Sequence, residues 1–512
     1  MERWTRASTA ACAALASLGG CATFAPAPKR APNIVLFLVD DLGWQDLSLP
    51  LAAQPTEFNA RYRTPNVERL AREGLVFTQA YAAAPVCTPT RAAIHTGIAP
   101  ARSHITYWTL RKDSDTSAPW PGLAPPAWDV NGVQPEDTTL AELLQAHGYR
   151  TIHVGKAHFG ALGTPGSDPR TLGFDVNIGG HGAGAPASFY GTENFAAAAR
   201  NGDPVWNVPG LERWHGQDIY LDEALAIEAV EQVDAALASG QPFFLNFAPY
   251  SVHTPIQPNP RYVANYAHLD PREAAYASMV ETMDAALGAV LEELDRRGIA
   301  DETLVVFTSD NGGLSAHSRG GEPHVHNAPL RSGKGSAYEG GTRVPLVVRG
   351  PGIAAAQRTS EPVISTDLFP TLLAAAGLEV PHDGVARDGL DLAPILDGGS
   401  LESGRVLVWH QPHFWGARGP GIWPYSAVRV GDWKLIYWHA QHYFELYDLA
   451  HDVGESLNFA TSDGARVREL ARILAEQLRS MGAQMSLDAT TGEPIPWPDA
   501  VDPHQAFRFF DF

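Results

Sequence analysis

Asn33-Ile34-Val35-Leu36-Phe37-Leu38-Val39 is a nearly unbroken apolar run that stops at Asp40-Asp41. A half-exposed strand would alternate apolar with polar residues. A continuous run is what a parallel strand buried on both faces requires. The pattern recurs down the chain. Arg150-Thr151-Ile152-His153-Val154 leads into Gly155-Lys156-Ala157-His158, and Phe243-Phe244-Leu245-Asn246-Phe247 leads into Ser251-Val252-His253-Thr254-Pro255. Leu304-Val305-Val306-Phe307-Thr308 leads into Ser309-Asp310-Asn311-Gly312-Gly313, and Val344 to Val348 reads as one more strand. Helices are predicted between them over Thr64 to Gly74, Thr138 to Gly148, Leu221 to Leu237 and Pro271 to Gly298. This alternation predicts an α/β domain: a large, mainly parallel or mixed sheet sandwiched by helices.

Beyond residue 400 the pattern changes. Val406 to Trp409, Ser426 to Val430, Trp433 to Tyr437 and Glu445 to Asp448 read as short strands, followed by a helix over Arg466 to Met481. Strands followed by a helix predict a smaller C-terminal α+β subdomain of antiparallel strands. The expected organisation is a catalytic domain over 33–398, a subdomain over 399–485 and a tail over 486–512. The tail is Pro-rich and aromatic, and its pattern assigns no element. A chain of 512 residues exceeds the usual size of a single core, which agrees with one large and one small unit.

Hydrophobic residues make up 45% of the chain and charged residues 18%, which excludes an intrinsically disordered protein. A net charge of -20 argues against nucleic acid as a partner and repels anionic substrates at long range. Any anion site must therefore be a local positive pocket. Met1 to Arg6 is a short basic start, and Ala7 to Gly20 is small, mildly apolar and too short to span a bilayer. Leu18-Gly19-Gly20-Cys21 resembles a bacterial lipobox. It predicts a signal peptide over 1–21, a lipid on Cys21 and an Ala- and Pro-rich tether over 22–32. The expected location is the bacterial periplasm or outer membrane, with membrane contact through the lipid only; the alternative is a cleaved, soluble or secreted form.

Each polar cluster falls just after a predicted strand, the edge at which open α/β sheets bind ligands. Asp40, Asp41, Asp310 and Asn311 offer only oxygen, a donor set that suits Ca²⁺ or Mg²⁺. Either pair alone would be an ordinary strand-end turn; two such pairs, each ending a buried run, point to a metal. Lys156 and His158 flank one residue and face one pocket if the chain stays extended there. His253 lies in a Pro-bounded loop, and Lys334 is flanked by Gly333 and Gly335. Read singly, these are surface-loop or structural positions. The lysines are Lys29, Lys112, Lys156, Lys334 and Lys434, the rest of the 37 permanently basic side chains being arginine. A retained lysine suggests a need for a compact ammonium.

Cys87-Thr88-Pro89-Thr90-Arg91 precedes Ala92-Ala93-Ile94-His95-Thr96-Gly97, in a chain with only 3 cysteines. Pro89 suits the first turn of a helix. Cys87 is then expected just before the helix N-terminus, where free N–H groups favour an anion. A small buried cysteine at a helix start would give the same pentapeptide. The Cys-x-Pro-x-Arg pattern resembles the signature of type I sulfatases, of the alkaline-phosphatase-like superfamily. The resemblance extends in order through Asp40-Asp41, Gly155-Lys156-x-His158, His253 and Ser309-Asp310-Asn311-Gly312. It continues through Lys334 with Tyr338-Glu339-Gly340-Gly341 to Gly431-Asp432-Trp433-Lys434-Leu435.

The resemblance implies an alkaline-phosphatase-like fold and a sulfuric ester hydrolase. It implies that a maturation enzyme converts Cys87 to formylglycine, whose hydrate attacks sulfur. It implies a Ca²⁺ (or Mg²⁺) on Asp40, Asp41, Cys87, Asp310 and Asn311. Arg91 would hold the nucleophile, and Lys156 and Lys334 would offset sulfate charge. His253, with Lys334 as a second donor, would protonate the leaving alcohol, and His158 would take the proton that expels sulfate. Cys12 would leave with the signal, so no disulfide is expected. The run from Asn311 to Gly341 is similar to bacterial polysaccharide sulfatases, including galactose-type ones, which implies a sulfated glycan substrate. His181 to Gly184, His324 to His326 and Trp409-His410 are candidate sugar-pocket segments. Two alternatives are a phosphonate or phosphate ester hydrolase of the same superfamily and a lipid-tethered glycan-binding pseudoenzyme.

Overall fold

A computed structural model describes residues 31–197, 202–315 and 319–502. The predicted leader, Cys21 and most of the tether lie outside the described residues, as do 503–512. In chain order the strands are β1 (Asn33–Val39), β2 (Leu75–Tyr81), β3 (Leu123–Ala124), β4 (Arg150–Gly155), β5 (Val176–Ile178), β6 (Phe243–Ala248), β7 (Thr303–Ser309) and β8 (Arg343–Arg349). They continue with β9 (Gln357–Thr359), β10 (Val363–Ile364), β11 (Val406–Gln411), β12 (Tyr425–Val430), β13 (Trp433–Trp438), β14 (Tyr443–Asp448) and β15 (Leu487–Asp488).

Nine of these form one sheet in the order β10-β2-β8-β7-β1-β6-β4-β5, with β9 also on β2. β1 lies in the middle, parallel to β7 on one side and β6 on the other. Its apolar residues are wholly buried, each contributing about 1.5–3 kcal/mol of transfer free energy. Asn33 is tolerated because its side chain donates to Thr303 Oγ1 and accepts from the Phe243 N–H. Only β8 runs against the rest, antiparallel to both β7 and β2. The carboxyl ends of β1, β2, β4, β6 and β7 therefore share one edge with the amino end of β8. The sheet is mixed and mainly parallel, as expected.

Alternation divides the sheet faces. Val35, Phe37 and Val39 join a core with the helices Pro65–Glu73, Leu221–Ser239 and Pro271–Arg296. On the other face Phe244 approaches His95 of the helix Cys87–Thr96. The helix Leu221–Ser239 stops where Gly240 takes φ 76°, a conformation that glycine adopts freely. Asp270 caps the helix Pro271–Arg296 by accepting from the Arg272 N–H.

The sequence pattern did not announce β2. Its Thr78 and Gln79 interrupt the apolar run, and it is held by pairing with β8, β9 and β10. β11 to β14 form a separate antiparallel sheet in sequence order. One face packs Val428, Leu435 and Leu446 on Leu470, Leu474 and Leu478 of the helix Gly464–Met481. The other packs Trp409, Ile436 and Trp438 against Tyr81, Ala93 and Tyr338. The small sheet is thus buried on both faces, and Lys434 reaches across to Glu339 at 2.9 Å. The tail returns to the body: β15 pairs with β3, and Ser486 Oγ lies 2.7 Å from His439 Nδ1.

Candidate active site

The shared strand edge brings together all ten predicted site residues. Asp40 and Asp41 follow β1, and Asp41 turns back with φ 60°. Arg91 is wholly buried; its Nε donates to Asp310 Oδ2 at 2.7 Å and its Nη1 to the Lys156 carbonyl at 2.8 Å. Lys156 Nζ donates to Asp40 Oδ1 at 2.7 Å. Lys334, arriving ahead of the reversed strand β8, places Nζ 2.6 Å from Asp41 Oδ1 and 3.3 Å from Cys87 Sγ. Asn311 Nδ2 donates to Asp41 Oδ1 at 2.8 Å, and His253 Nε2 lies 3.6 Å from Asp41 Oδ2.

Cys87 is the first residue of its helix, not the residue before it; Val86 is the extended cap. The turn is locked by Thr90 Oγ1, which accepts from the Ala84 N–H and donates to the Ala84 carbonyl. Cys87 Sγ lies 3.8 Å from Asp40 Oδ1. The chain does not stay extended through Lys156 and His158, since Gly155 has φ 97° and His158 φ 53°. A Cβ on Gly155 would meet the Ala248 carbonyl at 2.0 Å, so glycine alone fits where β4 ends beside β6.

Burial pushes the Asp40 carboxyl up to about 8, with Lys156 pulling it down and Asp310 pushing it up. Burial also raises Asp41, but Lys334 and His253 outweigh it and hold that carboxyl well below its usual range. Asp310 likewise ends low because Arg91 overcomes burial. Burial and the neighbouring Lys156 hold His158 well below 6.5. Its Nε2 faces the Thr109 carbonyl at 2.8 Å and must donate there, which leaves Nδ1 as the lone-pair nitrogen. Among the described residues that Nδ1 has no hydrogen-bond partner. His253 Nδ1 must donate to the Thr254 carbonyl at 2.9 Å, so its Nε2 faces the acids. Burial lowers His253 against the pull of Asp41.

The donor set fits a hard cation. Among the described residues, Asp40 Oδ2, Asp41 Oδ2 and Asn311 Oδ1 are buried with no hydrogen-bond partner, a state that buried oxygens rarely keep. Ligand atoms of Asp40, Asp41, Cys87 and His253 lie within 4.8 Å of one another. Asp310 is placed differently from the other acids: its Oδ2 is taken by Arg91 and its Oδ1 by the Asp41 N–H.

Above this floor is a cavity of about 290 Å³, lined by Asp41, Cys87, His158, His253 and Lys334 at the base and by Trp108, Trp206 and Trp415 higher up. The tryptophans were not legible as site residues; an indole in an irregular segment carries no motif. Of the expected sugar-pocket segments, Gly184 lines this cavity and packs on the His158 ring. Trp409 instead lies in the core under the small sheet, donating to the Ala82 carbonyl, and His410 bonds Ser426 and the Gln484 carbonyl. His326 Nε2 bonds the Gly320 carbonyl.

The chain is similar to known proteins over most of its length. A family model described as Sulfatase matches residues 32–378, and one described as N-sulphoglucosamine sulphohydrolase, C-terminal, matches 333–484. The chain is 30% identical to a sulfatase of Formosa agariphila over 92% of this chain and 94% of that protein. It is 31% identical to human arylsulfatase A over 91% of this chain and 90% of that one. Among solved structures, Ps i-CgsB in complex with k-i-k-neocarrahexaose superposes with a TM-score of 0.70 at 27% identity, covering 88% of this chain and 93% of the other. With more than half its length under one family model, and with near full-length relatives of one activity, the chain belongs to the sulfatase family and is an enzyme that hydrolyses sulfate esters.

Proposed function

We propose that the enzyme removes sulfate from a sulfated carbohydrate, using Cys87 after its conversion to formylglycine and a divalent cation, Ca²⁺ in first place. The observation that carries this reading is the position of Cys87. It is buried at a helix start on the cavity, with Lys334 in reach of its Sγ and candidate ligand atoms of Asp40, Asp41 and His253 within 4.8 Å of one another and of the sulfur. Asp40, Asp41 and Asp310 face Arg91, Lys156 and Lys334, and with the Asp40 carboxyl pushed up to about 8 the floor carries no excess of negative charge. A divalent cation there, on Asp40, Asp41, Asn311 and Asp310, would supply charge matching an ionised nucleophile and a sulfate monoester. Formylglycine supplies a hydrated aldehyde, a nucleophile that can release sulfate without water attacking a covalent ester.

The chain's own residues do the rest. Arg91 fixes Asp310 and the backbone of Lys156. Lys334 lines the cavity and offsets negative charge developing on the sulfuryl oxygens, and Lys156, buried on Asp40, adds positive charge from behind, in a site where fixed charges act strongly. His253 presents Nε2 to the cavity and, protonated, delivers a proton to the leaving oxygen. His158, kept neutral by burial, offers Nδ1 as the base for the release step. Relatives named N-acetylgalactosamine-6-sulfatase, 33% identical in the human protein over 77% of this chain and 73% of that one, support a carbohydrate substrate.

The test is mass spectrometry of the Cys87 peptide from protein made with a maturation enzyme, with desulfation of a panel of defined sulfated mono- and oligosaccharides. Unmodified Cys87 in active protein sinks the nucleophile. Faster turnover of aryl phosphonate than of aryl sulfate favours the phosphonate reading, and glycan binding without turnover favours the pseudoenzyme. The lipid anchor at Cys21 in a bacterial envelope belongs to the same proposal. Incorporation of labelled palmitate that survives Cys21→Ala would remove it.

A further inference from the structure

We infer that Trp108, Trp206 and Trp415 form the docking wall for the ring that bears the scissile sulfate, receiving the C–H face of a pyranose; this rests on the carbohydrate reading above. The three come from segments far apart in sequence, yet all line the cavity whose base holds Cys87 and Lys334. All three remain half-buried. A large apolar ring left partly in water above a polar floor offers a face for an apolar partner. A sulfated pyranose has matching halves: a charged ester for the floor and a C–H face for an indole.

Trp108 and Trp415 are tied to the catalytic floor, and Trp206 to the segment that carries Trp108. Trp108 precedes Thr109, whose N–H donates to Thr88 Oγ1 at 3.2 Å and whose carbonyl accepts from His158. Thr88 is the neighbour of Cys87, so Trp108 is fixed relative to both nucleophile and base. Trp206 closes the short turn Pro204–Trp206, capped by Asp203, which also pairs with Arg111 at 2.9 Å. The Trp206 turn is thereby bound to the segment that carries Trp108. Trp415 lies in the loop between β11 and β12 and sits on Gly335: a Cβ there would come within 2.4 Å of its ring. Lys334 Nζ is 5.7 Å from the same ring centroid. The small sheet thus contributes one side of the wall, beside the lysine that approaches Cys87.

The test uses the matured, metal-loaded enzyme with Trp206→Ala, Trp415→Ala and Trp415→Phe. Three quantities are read: KM and kcat on the sulfated pyranose that the wild type turns over best, the inhibition constant of inorganic sulfate, and the melting temperature. Each alanine variant is expected to raise KM about tenfold or more, with a smaller change in kcat. Inorganic sulfate, which reaches only the floor, should inhibit within about twofold of the wild type, and Trp415→Phe should recover most of the loss. An unchanged KM overturns the wall. So does a sulfate inhibition constant that rises in step with KM, since that marks a collapsed floor. A wild type that cleaves aryl sulfate but no sulfated pyranose overturns the carbohydrate reading itself.

Discussion

Two buried charge clusters lie within the same domain, and they differ in what they leave unsatisfied. Around Arg319, Nη1 meets Asp46 Oδ1 at 3.2 Å and Nη2 meets Glu273 Oε1 at 2.9 Å. Tyr62 donates to Glu273 and Tyr276 to Asp46, each at 2.6 Å, and the guanidinium lies 3.8 Å from the Tyr276 centroid. Every charged atom there has a partner. The Asp40, Asp41 and Asn311 cluster keeps orphaned oxygens, and Arg91 Nη2 has no hydrogen bond. A satisfied network rigidifies the fold; an unsatisfied one at a cavity base is stored binding capacity. Burial and charge alone do not separate the two.

That contrast can be broken by substitution. Cys87→Ala should lower kcat/KM by at least about 10³-fold with little change in melting temperature, because it removes the proposed nucleophile and leaves the ion pairs intact. Arg319→Met should do the reverse. It strands Asp46 and Glu273 and should cost about 3–5 kcal/mol in urea unfolding, with activity per folded molecule largely kept. If Arg319→Met abolishes activity without loss of stability, the division of labour is wrong.

Smaller effects sharpen it. Exhaustive chelation should lower turnover about a hundredfold or more and leave the far-ultraviolet dichroism unchanged, with Ca²⁺ restoring the rate. A chelated enzyme at full rate would remove the cation. Gly184→Ala places a Cβ 2.4 Å from His158 Cε1 and should lower kcat about tenfold through a displaced base, readable as a shifted pH–rate profile. Glu273 adds a pH signature to the other cluster. Burial raises its carboxyl, but Arg319 prevails and brings it from 4.5 to about 2. A depressed folded value stabilises above the unfolded value and is lost as pH falls through the folded one. The stability slope between about pH 4.5 and 2 should therefore be steeper in the wild type than in Glu273→Gln.

Much of this was readable in the chain because strand burial and ligand chemistry both leave local marks. β1, β4, β6 and β7 are runs buried on both faces, and each leads into the polar residues that gather at the sheet edge. β2 escaped because Thr78 and Gln79 break its apolar pattern while β8 supplies its pairing. Lys156 and His158 were expected in one pocket through an extended chain; the chain instead turns left-handed at Gly155 and His158, and of the two His158 lines the cavity while Lys156 is wholly buried on Asp40. The expected sugar-pocket segment Trp409-His410 serves the packing of the small sheet, since a tryptophan or histidine carries no sign of which side of a strand it will face.

The sequence by itself determined the alternating architecture and singled out the oxygen-bearing pairs and Cys87 as site candidates, because hydrophobic period and residue chemistry are properties of short segments. Only the tertiary structure decided which charges are satisfied, which nitrogen of each histidine is free, and which tryptophans overlook the floor. Those depend on contacts between residues such as Thr109 and His158, or Gly335 and Trp415, that are brought together only when the sheet closes its edge.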